Sequence, residues 1–166
     1  MNKKGFTMAE VLVTISILSI MAAISIPTFI SWLPTHRLQT SARQIYDDLN
    51  LAKMEAVKRN TDVCVVFYPG TEKYTVFVDK DGSGNLNSGD ITLQSKNNVA
   101  LEKDVDIINT NFGNTIGFNN RGMVATATPG DIFLTNPTGI KMKITVINSG
   151  NISILYSKDG GATWRS

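Results

Sequence analysis

The sequence contains few residues of the kinds that build reactive centres. Its single cysteine, Cys64, excludes an internal disulfide, and it stands in an apolar run where we expect a small buried side chain. Its single histidine, His36, follows a long apolar segment and has no candidate nucleophile beside it in sequence. Zinc-ligand spacing, a phosphate-binding loop and a nucleotide-binding fingerprint are also absent. We therefore expect no catalytic residues and no enzymatic activity.

Charged residues are missing from residues 11–33, an uninterrupted run of 23 residues. At a helical rise of ~1.5 Å per residue, this run is long enough to cross a hydrocarbon core of ~30 Å. It exceeds the ~7–15 apolar residues of a secretory signal peptide, and no A-x-A cleavage triplet accompanies it. We expect a single-pass membrane helix. Lys3 and Lys4, just before it, favour a cytoplasmic N-terminus and a C-terminal domain on the other side.

Glu10 stands at the edge of this apolar run. A carboxylate near the bilayer interior costs several kcal/mol unless it is paired, so such residues usually have a function. The alternative is a purely local role, because an acid in the first helical turn gains ~0.3–1 kcal/mol from the helix dipole. Residues 3–10, with Gly5 followed by Phe6, resemble the class III leader of type IV pilins and of the pseudopilins of type II secretion.

The resemblance implies a series of assembly steps. A prepilin peptidase would cut between Gly5 and Phe6, and Phe6 would become an N-methylated terminus. Glu10 would then be the fifth mature residue, where the family keeps a glutamate that pairs with the N-terminus of a neighbouring subunit. Pro27 stands where pilin-like proteins commonly have a proline. The implied location is the bacterial inner membrane with a periplasmic domain, and the implied partners are membrane lipid, the assembly platform, and other pilins or pseudopilins of the filament.

Charge gives little reason to expect an acidic partner. Two of the 16 Lys and Arg residues lie in residues 1–5, so the processed chain would balance 14 basic against 14 acidic side chains. A neutral chain has no general attraction for nucleic acid.

The helical pattern continues past the apolar run. An apolar stripe recurs every three or four residues from Leu38 to Ala56, and the opposite face carries polar residues that include Asp48 and a Glu55–Arg59 pair. We expect this amphipathic half to occupy residues 34–60, with kinks at Pro27 and Pro34. From residue 61 the apolar period becomes two, which predicts strands at 62–68, 74–79, 91–94, 105–108, 115–118, 132–135, 141–147 and 152–157.

The expected fold is therefore α+β. A long N-terminal helix, with a membrane or filament-core half at residues 6–33, packs on an antiparallel β-sheet formed by residues 61–166. Residues 1–5 are the leader. Residues 51–60, 77–90 and 116–122 resemble the minor pseudopilin family GspH and its type IV pilus counterpart FimT. That resemblance implies a pilin-like structural subunit that initiates or caps a filament, or contacts cargo.

Two alternative functions remain. FimT-type proteins can act as DNA receptors for natural transformation through closely spaced C-terminal arginines. Here residues 149–153 contain no arginine, and Lys158 and Arg165 are opposed by Asp159, so DNA is not the expected partner. A glycan or surface adhesin is suggested by residues 157–164, which match the Asp-box S-x-D-x-G-x-T-W. Propellers need several copies of this motif, so we interpret it as a single structural turn formed by Ser157, Asp159, Gly161 and Trp164.

Residues 79–90 fit a twelve-residue calcium loop. Such loops place oxygen-bearing groups at positions 1, 3, 5, 7, 9 and 12 and glycine at position 6. Position 12 is an aspartate instead of a longer glutamate, and the flanking residues form predicted strands instead of helices, so an Asp/Asn/Gly turn without metal is the alternative. Calcium is the only cofactor that the sequence suggests. Its candidate ligands are Asp79, Asp81, Ser83, Asn85, Asn87 and Asp90.

Overall fold

The computed structural model describes residues 5–93, 96–125 and 129–165. These residues form two compact units, one ending at Leu33 and the other beginning at Pro34. The helix α1 (Met8–Arg59) contributes to both, and nine strands follow it in the second unit. The strands are β1 (Asp62–Tyr68), β2 (Lys73–Asp79), β3 (Ile91–Thr92), β4 (Val99–Ala100), β5 (Asp106–Thr110), β6 (Thr115–Phe118), β7 (Gly130–Thr135), β8 (Lys141–Val146) and β9 (Ile152–Ser157).

The first unit is helical and its apolar side chains are exposed. Phe6, Leu12, Ile24 and Ile30 each leave more than half of their surface uncovered, as do most of their apolar neighbours. Among the described residues, α1 is the one helix whose length and composition would allow it to cross a membrane. An apolar surface of this extent requires a lipid or protein environment.

The second unit has one hydrophobic core. The predicted helical stripe is confirmed, because its members have no exposed surface: Leu38, Ala42, Ile45, Leu49, Ala52 and Ala56. They join the buried faces of two antiparallel sheets in a single cluster. Sheet A has the order β3-β2-β1-β6, with β4 also paired to β2, and sheet B has the order β5-β7-β8-β9.

The end of α1 is set by a left-handed residue. Asn60 has a φ of 53°, its amide donates to Val57 O, and the Thr61 amide donates to Ala56 O. This pair of bonds is the Schellman pattern, which satisfies the last carbonyls of a helix and stops it. The helix therefore ends at Arg59, next to the predicted Asn60.

A lysine and two glycines join both sheets to α1. Lys53 Nζ donates to Gly150 O in the β8–β9 turn at 2.8 Å. Gly122, in the turn after β6, lies against the Lys53 side chain, and a Cβ on Gly150 would approach Gly122 O to 1.9 Å. Both glycines also have positive φ, which strains other residues, and at Gly150 a side chain would in addition force the backbone to move.

The structure corrects three sequence predictions. Asp48 is buried at 3% exposure and does not lie on the polar face of the helix, because β2 and Lys96 supply polar partners for it. Strand β4 was not predicted, since two residues show no alternation. Strand β5 continues past Ile108 to Thr110, because a bulge at Ile108 shifts the alternation by one residue. The predicted strand end at Gln94 lies outside the described residues.

Candidate functional site

The start of α1 is closed by a reciprocal cap. Glu10 Oε2 accepts hydrogen bonds from the Thr7 amide at 2.8 Å and from Thr7 Oγ1 at 2.9 Å, while the Glu10 amide donates to Thr7 Oγ1 at 3.2 Å. This is a capping box, which satisfies free amides of a first helical turn. Sequence reasoning missed Thr7, although its T-x-x-E spacing is the usual signal.

The processing site precedes this cap directly. Gly5 is exposed with open space where a side chain would stand, and Phe6 is 88% exposed. Pro27 lies within α1 on its exposed surface. The geometry gives access to the bond between Gly5 and Phe6, and the roles of Gly5, Phe6, Glu10 and Pro27 stay predictions. Lys3 and Lys4 lie outside the described residues.

A buried polar group joins α1 to sheet A. Tyr74 Oη donates to Asp48 Oδ2 at 2.6 Å, and Lys96 Nζ lies 2.7 Å from Asp48 Oδ1. Burial, aided by the negative charge of Asp48, raises the pKa of Tyr74 well above its usual value. The phenol therefore stays protonated and acts as a donor. Both oxygens of the Asp48 carboxylate are engaged, one by Tyr74 and the other by Lys96. We therefore interpret these three residues as a structural connection and not as a catalytic base.

Three of the six predicted calcium ligands come together in the loop between β2 and β3. Carboxylate oxygens of Asp79, Asp81 and Asp90 lie within 4.8 Å of one another. Asp79, at 2% exposure, accepts from the amides of Gly82, Ser83 and Gly84 at 2.9, 3.2 and 2.7 Å. The sharp turn at Gly84 uses a φ of 69°, as the glycine of a calcium loop does.

The rest of the loop is also hydrogen-bonded internally. Asp90 accepts from the Lys80 and Asn87 amides at 3.0 and 2.9 Å, and Asn87 Nδ2 donates to Asp81 Oδ2 at 2.9 Å. Donors on Ser83 lower the pKa of Asp81. Carboxylate oxygens can accept from a donor and also bind a cation, so the three clustered carboxylates could hold calcium. The same bonds would close a turn without metal, and the calcium assignment stays a prediction.

The Asp-box residues form the predicted turn. Ser157 Oγ donates to Asp159 and accepts from the Gly161 amide at 2.9 Å. Asp159 also accepts from the Thr163 amide at 2.9 Å and from Thr163 Oγ1 at 2.5 Å. These donors, led by the Ser157 hydroxyl, hold the pKa of Asp159 far below its usual range.

The turn covers the outer face of sheet B. The Trp164 ring centroid lies 5.9 Å from that of Phe133, and Lys143 Nζ lies 4.9 Å from the Trp164 ring. A cation at this distance from an indole is attracted by the negative face of the ring. The Ser157 and Asp159 oxygens are directed into the turn, so this motif stabilises the fold and offers little to a glycan.

Comparison with known families gives two matches. The family described as type II transport protein GspH matches residues 41–150, and the family described as the prokaryotic N-terminal methylation motif matches residues 1–26. The pilin-like protein PilA1 of Thermus thermophilus is 29% identical over 93 residues, which cover 54% of this chain and 57% of that protein. The chain thus spans a little over half the length of this relative.

Solved structures share the fold. The minor pseudopilin EpsH of the type 2 secretion system of Vibrio cholerae aligns with a TM-score of 0.56 and 17% identity, covering 72% of this chain and 96% of that one. The type IV minor pilin FimU of Pseudomonas aeruginosa aligns with a TM-score of 0.54 and 16% identity, covering 72% and 89%. Both matches confirm one long helix packed on antiparallel sheets.

Proposed function

The chain belongs to the GspH family of minor pilins and pseudopilins, and from that premise we propose that it is a structural subunit of a type II secretion pseudopilus or a type IV pilus. The proposal includes a role in starting or capping the filament, or in contacting its cargo. Its family and fold relatives are structural proteins, and the described residues contain no catalytic arrangement.

One combination of features carries this proposal. A methylation motif over residues 1–26 leads into a helical unit whose apolar side chains are uncovered. Such a surface can be covered by the lipid of a bilayer, and it can also be covered by the helices of other subunits. The same segment can therefore serve as a membrane anchor before assembly and as a filament core afterwards.

The proposed steps follow the N-terminal residues. The peptidase cuts between Gly5 and Phe6 while the second unit lies in the periplasm. Cleavage creates a positive amino group at Phe6, and Glu10 of one subunit pairs with the amino group of another. Attraction between unit charges strengthens as water is excluded, so this pair is most effective inside a filament. Pro27 provides a point where the helix can bend, since it lacks an amide donor.

The other functions considered from the sequence receive no specific support. A DNA receptor needs several phosphate contacts, and the C-terminal cations Lys158 and Arg165 share their cavity with Asp159. A glycan adhesin would use the Asp-box oxygens, which are hydrogen-bonded within their own turn. We propose neither.

Copurification tests the proposal. The full chain, with a C-terminal tag, is expressed in its own host in place of the untagged protein, and sheared filaments are probed for the tag. We expect the processed chain in the filament fraction. A matched Gly5→Leu variant, which should not be cut, is expected to stay in the membrane. Absence of the unaltered chain from every filament of the host would contradict the proposal.

A further inference from the structure

Two adjoining cavities lie beside the first residues that α1 contributes to the second unit. One has a volume of about 280 Å³ and is lined by Tyr156, Lys158, Asp159, Thr163 and Arg165. The other has a volume of about 260 Å³, and its lining residues include Thr35, Leu38, Ile140 and Met142. Tyr156 and Lys158 line both cavities. A single elongated ligand could therefore occupy the two together.

The first cavity favours an anion with one negative charge. Lys158 and Arg165 form no ion pair with any other residue in the described ranges. Among the described residues that line the cavity, Asp159 is the one carboxylate, and it accepts hydrogen bonds from Ser157 and Thr163. Lys158 and Arg165 against the single charge of Asp159 leave a net charge of +1, which the one negative charge of a phosphodiester would neutralise.

The backbone that carries the two cations is held in place by the fold. The Tyr156 amide donates to Arg165 O at 2.8 Å, and the Arg165 amide donates to Tyr156 O at 3.0 Å. This bridge returns the C-terminal residues to the edge of β9, and the Asp-box turn fixes the path between them. Tyr156 is 37% exposed and adds a hydroxyl donor at the junction of the cavities. A site whose backbone is already fixed loses less freedom when it binds.

The second cavity differs in chemistry and begins near the apolar segment. Leu38, Ile140 and Met142 give it an apolar wall. Thr35 follows Leu33 by two residues, so the chain alone keeps their Cα atoms within about 8 Å. An apolar lobe and a cationic lobe are thus adjacent, close along the chain to a helix of membrane-spanning length.

We propose that these cavities bind one anionic phospholipid of the phosphatidylglycerol type, with its phosphate at Lys158 and Arg165 and its first acyl carbons against Ile140 and Met142. The proposal rests on the membrane anchoring in the proposed function and adds a specific lipid contact before assembly. Duplex DNA also presents phosphates, but it has no apolar group that would fill the second cavity. Two cations would also contact too few phosphates for strong binding to a nucleic-acid backbone.

The test uses the full chain in an uncharged detergent with soluble short-chain lipids. Dihexanoyl phosphatidylglycerol is titrated against dihexanoyl phosphatidylcholine, and binding is measured by hydrogen exchange in residues 152–165. We expect protection by the anionic lipid at concentrations at least tenfold lower than those needed with the zwitterionic one. Equal protection by both lipids, or none by either, would overturn the proposal.

Variants assign the effect to the cavities. Lys158→Gln with Arg165→Gln should weaken binding of the anionic lipid about 25-fold, because each cation near an anionic lipid contributes roughly fivefold. The matched control, Lys73→Gln with Arg121→Gln, removes two exposed cations that line neither cavity and should bind as the unaltered chain does. Equal weakening in both double variants would refute the site.

Further measurements distinguish a lipid phosphate from the phosphate of a small molecule or of DNA. Ile140→Ser should weaken binding of the anionic lipid but leave binding of glycerol 3-phosphate unchanged. Unchanged hydrogen exchange in β7 and β8 would show that each variant is folded. Tighter protection by glycerol 3-phosphate or by a short DNA duplex than by the anionic lipid would contradict a lipid site. Filament copurification is measured separately, so failure here leaves the proposed function standing.

Discussion

The hydroxyl of Tyr74 on β2 donates to the carboxylate of Asp48 on α1 at 2.6 Å, and both side chains are buried. Removing the donor by Tyr74→Phe should lower the free energy of unfolding by about 1–3 kcal/mol, since a hydrogen bond to a charged group is lost in the interior. Tyr46→Phe is the matched control. Its hydroxyl has no recorded hydrogen bond among the residues described, and we expect a change below about 0.5 kcal/mol. Urea unfolding of a soluble form beginning at Arg37 measures both, and equal losses would argue against a special role for this bond.

Glu10 and Thr7 can be separated by their effects on assembly. Glu10→Ala removes the carboxylate and the two hydrogen bonds that it accepts from Thr7, whereas Thr7→Ala removes the two bonds of the Thr7 hydroxyl and keeps the carboxylate with its bond from the Thr7 amide. If Glu10 pairs with a neighbouring N-terminus, Glu10→Ala should be processed yet largely absent from sheared filaments, and Thr7→Ala should assemble nearly as well as the unaltered chain. Immunoblots of the membrane and filament fractions compare them. Equal defects would mean that the bond between the Thr7 hydroxyl and Glu10, which both variants lose, accounts for the effect of Glu10→Ala without any pairing to a neighbour.

Processing has a defined mass signature. Mass spectrometry of the mature chain should find Phe6 as the first residue, with one methyl group on its amine, because Gly5 offers no side chain to obstruct the peptidase. Cells without the peptidase provide the control and should retain residues 1–5. A terminus beyond Ala23 would instead indicate signal-peptide cleavage.

Calcium should raise the melting temperature of the soluble form if the loop at residues 79–90 binds it. Neutralising Asp79, Asp81 and Asp90 removes their repulsion, and at a hundredfold excess over Kd the gain is about 2.7 kcal/mol, or several degrees. Melting is compared in millimolar calcium and in chelator. Asp81→Ala should abolish the shift, and Asp47→Ala, an exposed aspartate on α1, should retain it. If calcium does not shift the melting temperature of the unaltered protein, the loop is a turn that binds no metal.

Asp159 should make the thermal stability of the fold depend on pH. The pKa of Asp159 is lower in the folded protein than its unfolded value of ~3.9. The ionised carboxylate therefore stabilises the fold at pH values above ~3.9, and this stabilisation is lost as the pH falls through the folded pKa. Asp159→Asn should therefore melt below the unaltered protein near pH 6, and the difference should shrink below about pH 3. Asp106→Asn, at an exposed residue, is the control. A difference that stays constant with pH would contradict the ionic origin.

The sequence predicted the elements better than it predicted the contacts between them. The stripe from Leu38 to Ala56 and the strands predicted at residues 141–147 and 152–157 follow from periodicity, which acts locally. The structure buries the stripe and forms strands at Lys141–Val146 and Ile152–Ser157. Asp48 was placed on the wrong face because charge normally excludes a residue from a core, and its partners Tyr74 and Lys96 are distant in sequence.

Predictions of the sites show the same limit. The Asp-box turn was predictable because its bonds run between residues two to four apart. The two cavities were not, since Thr35, Ile140 and Tyr156 come together only through the pairing of β8 with β9 and their packing against α1. The T-x-x-E spacing of Thr7 and Glu10 is also local, and it predicts the capping box from the sequence alone.

The contact of Lys53 with the turns that carry Gly122 and Gly150 has a mechanical consequence. Gly122 follows β6 of sheet A and Gly150 joins two strands of sheet B, so one helical side chain is attached to both sheets. A change at Lys53 would therefore be felt in both sheets at once, since the same side chain bonds the turn of one and packs against the turn of the other.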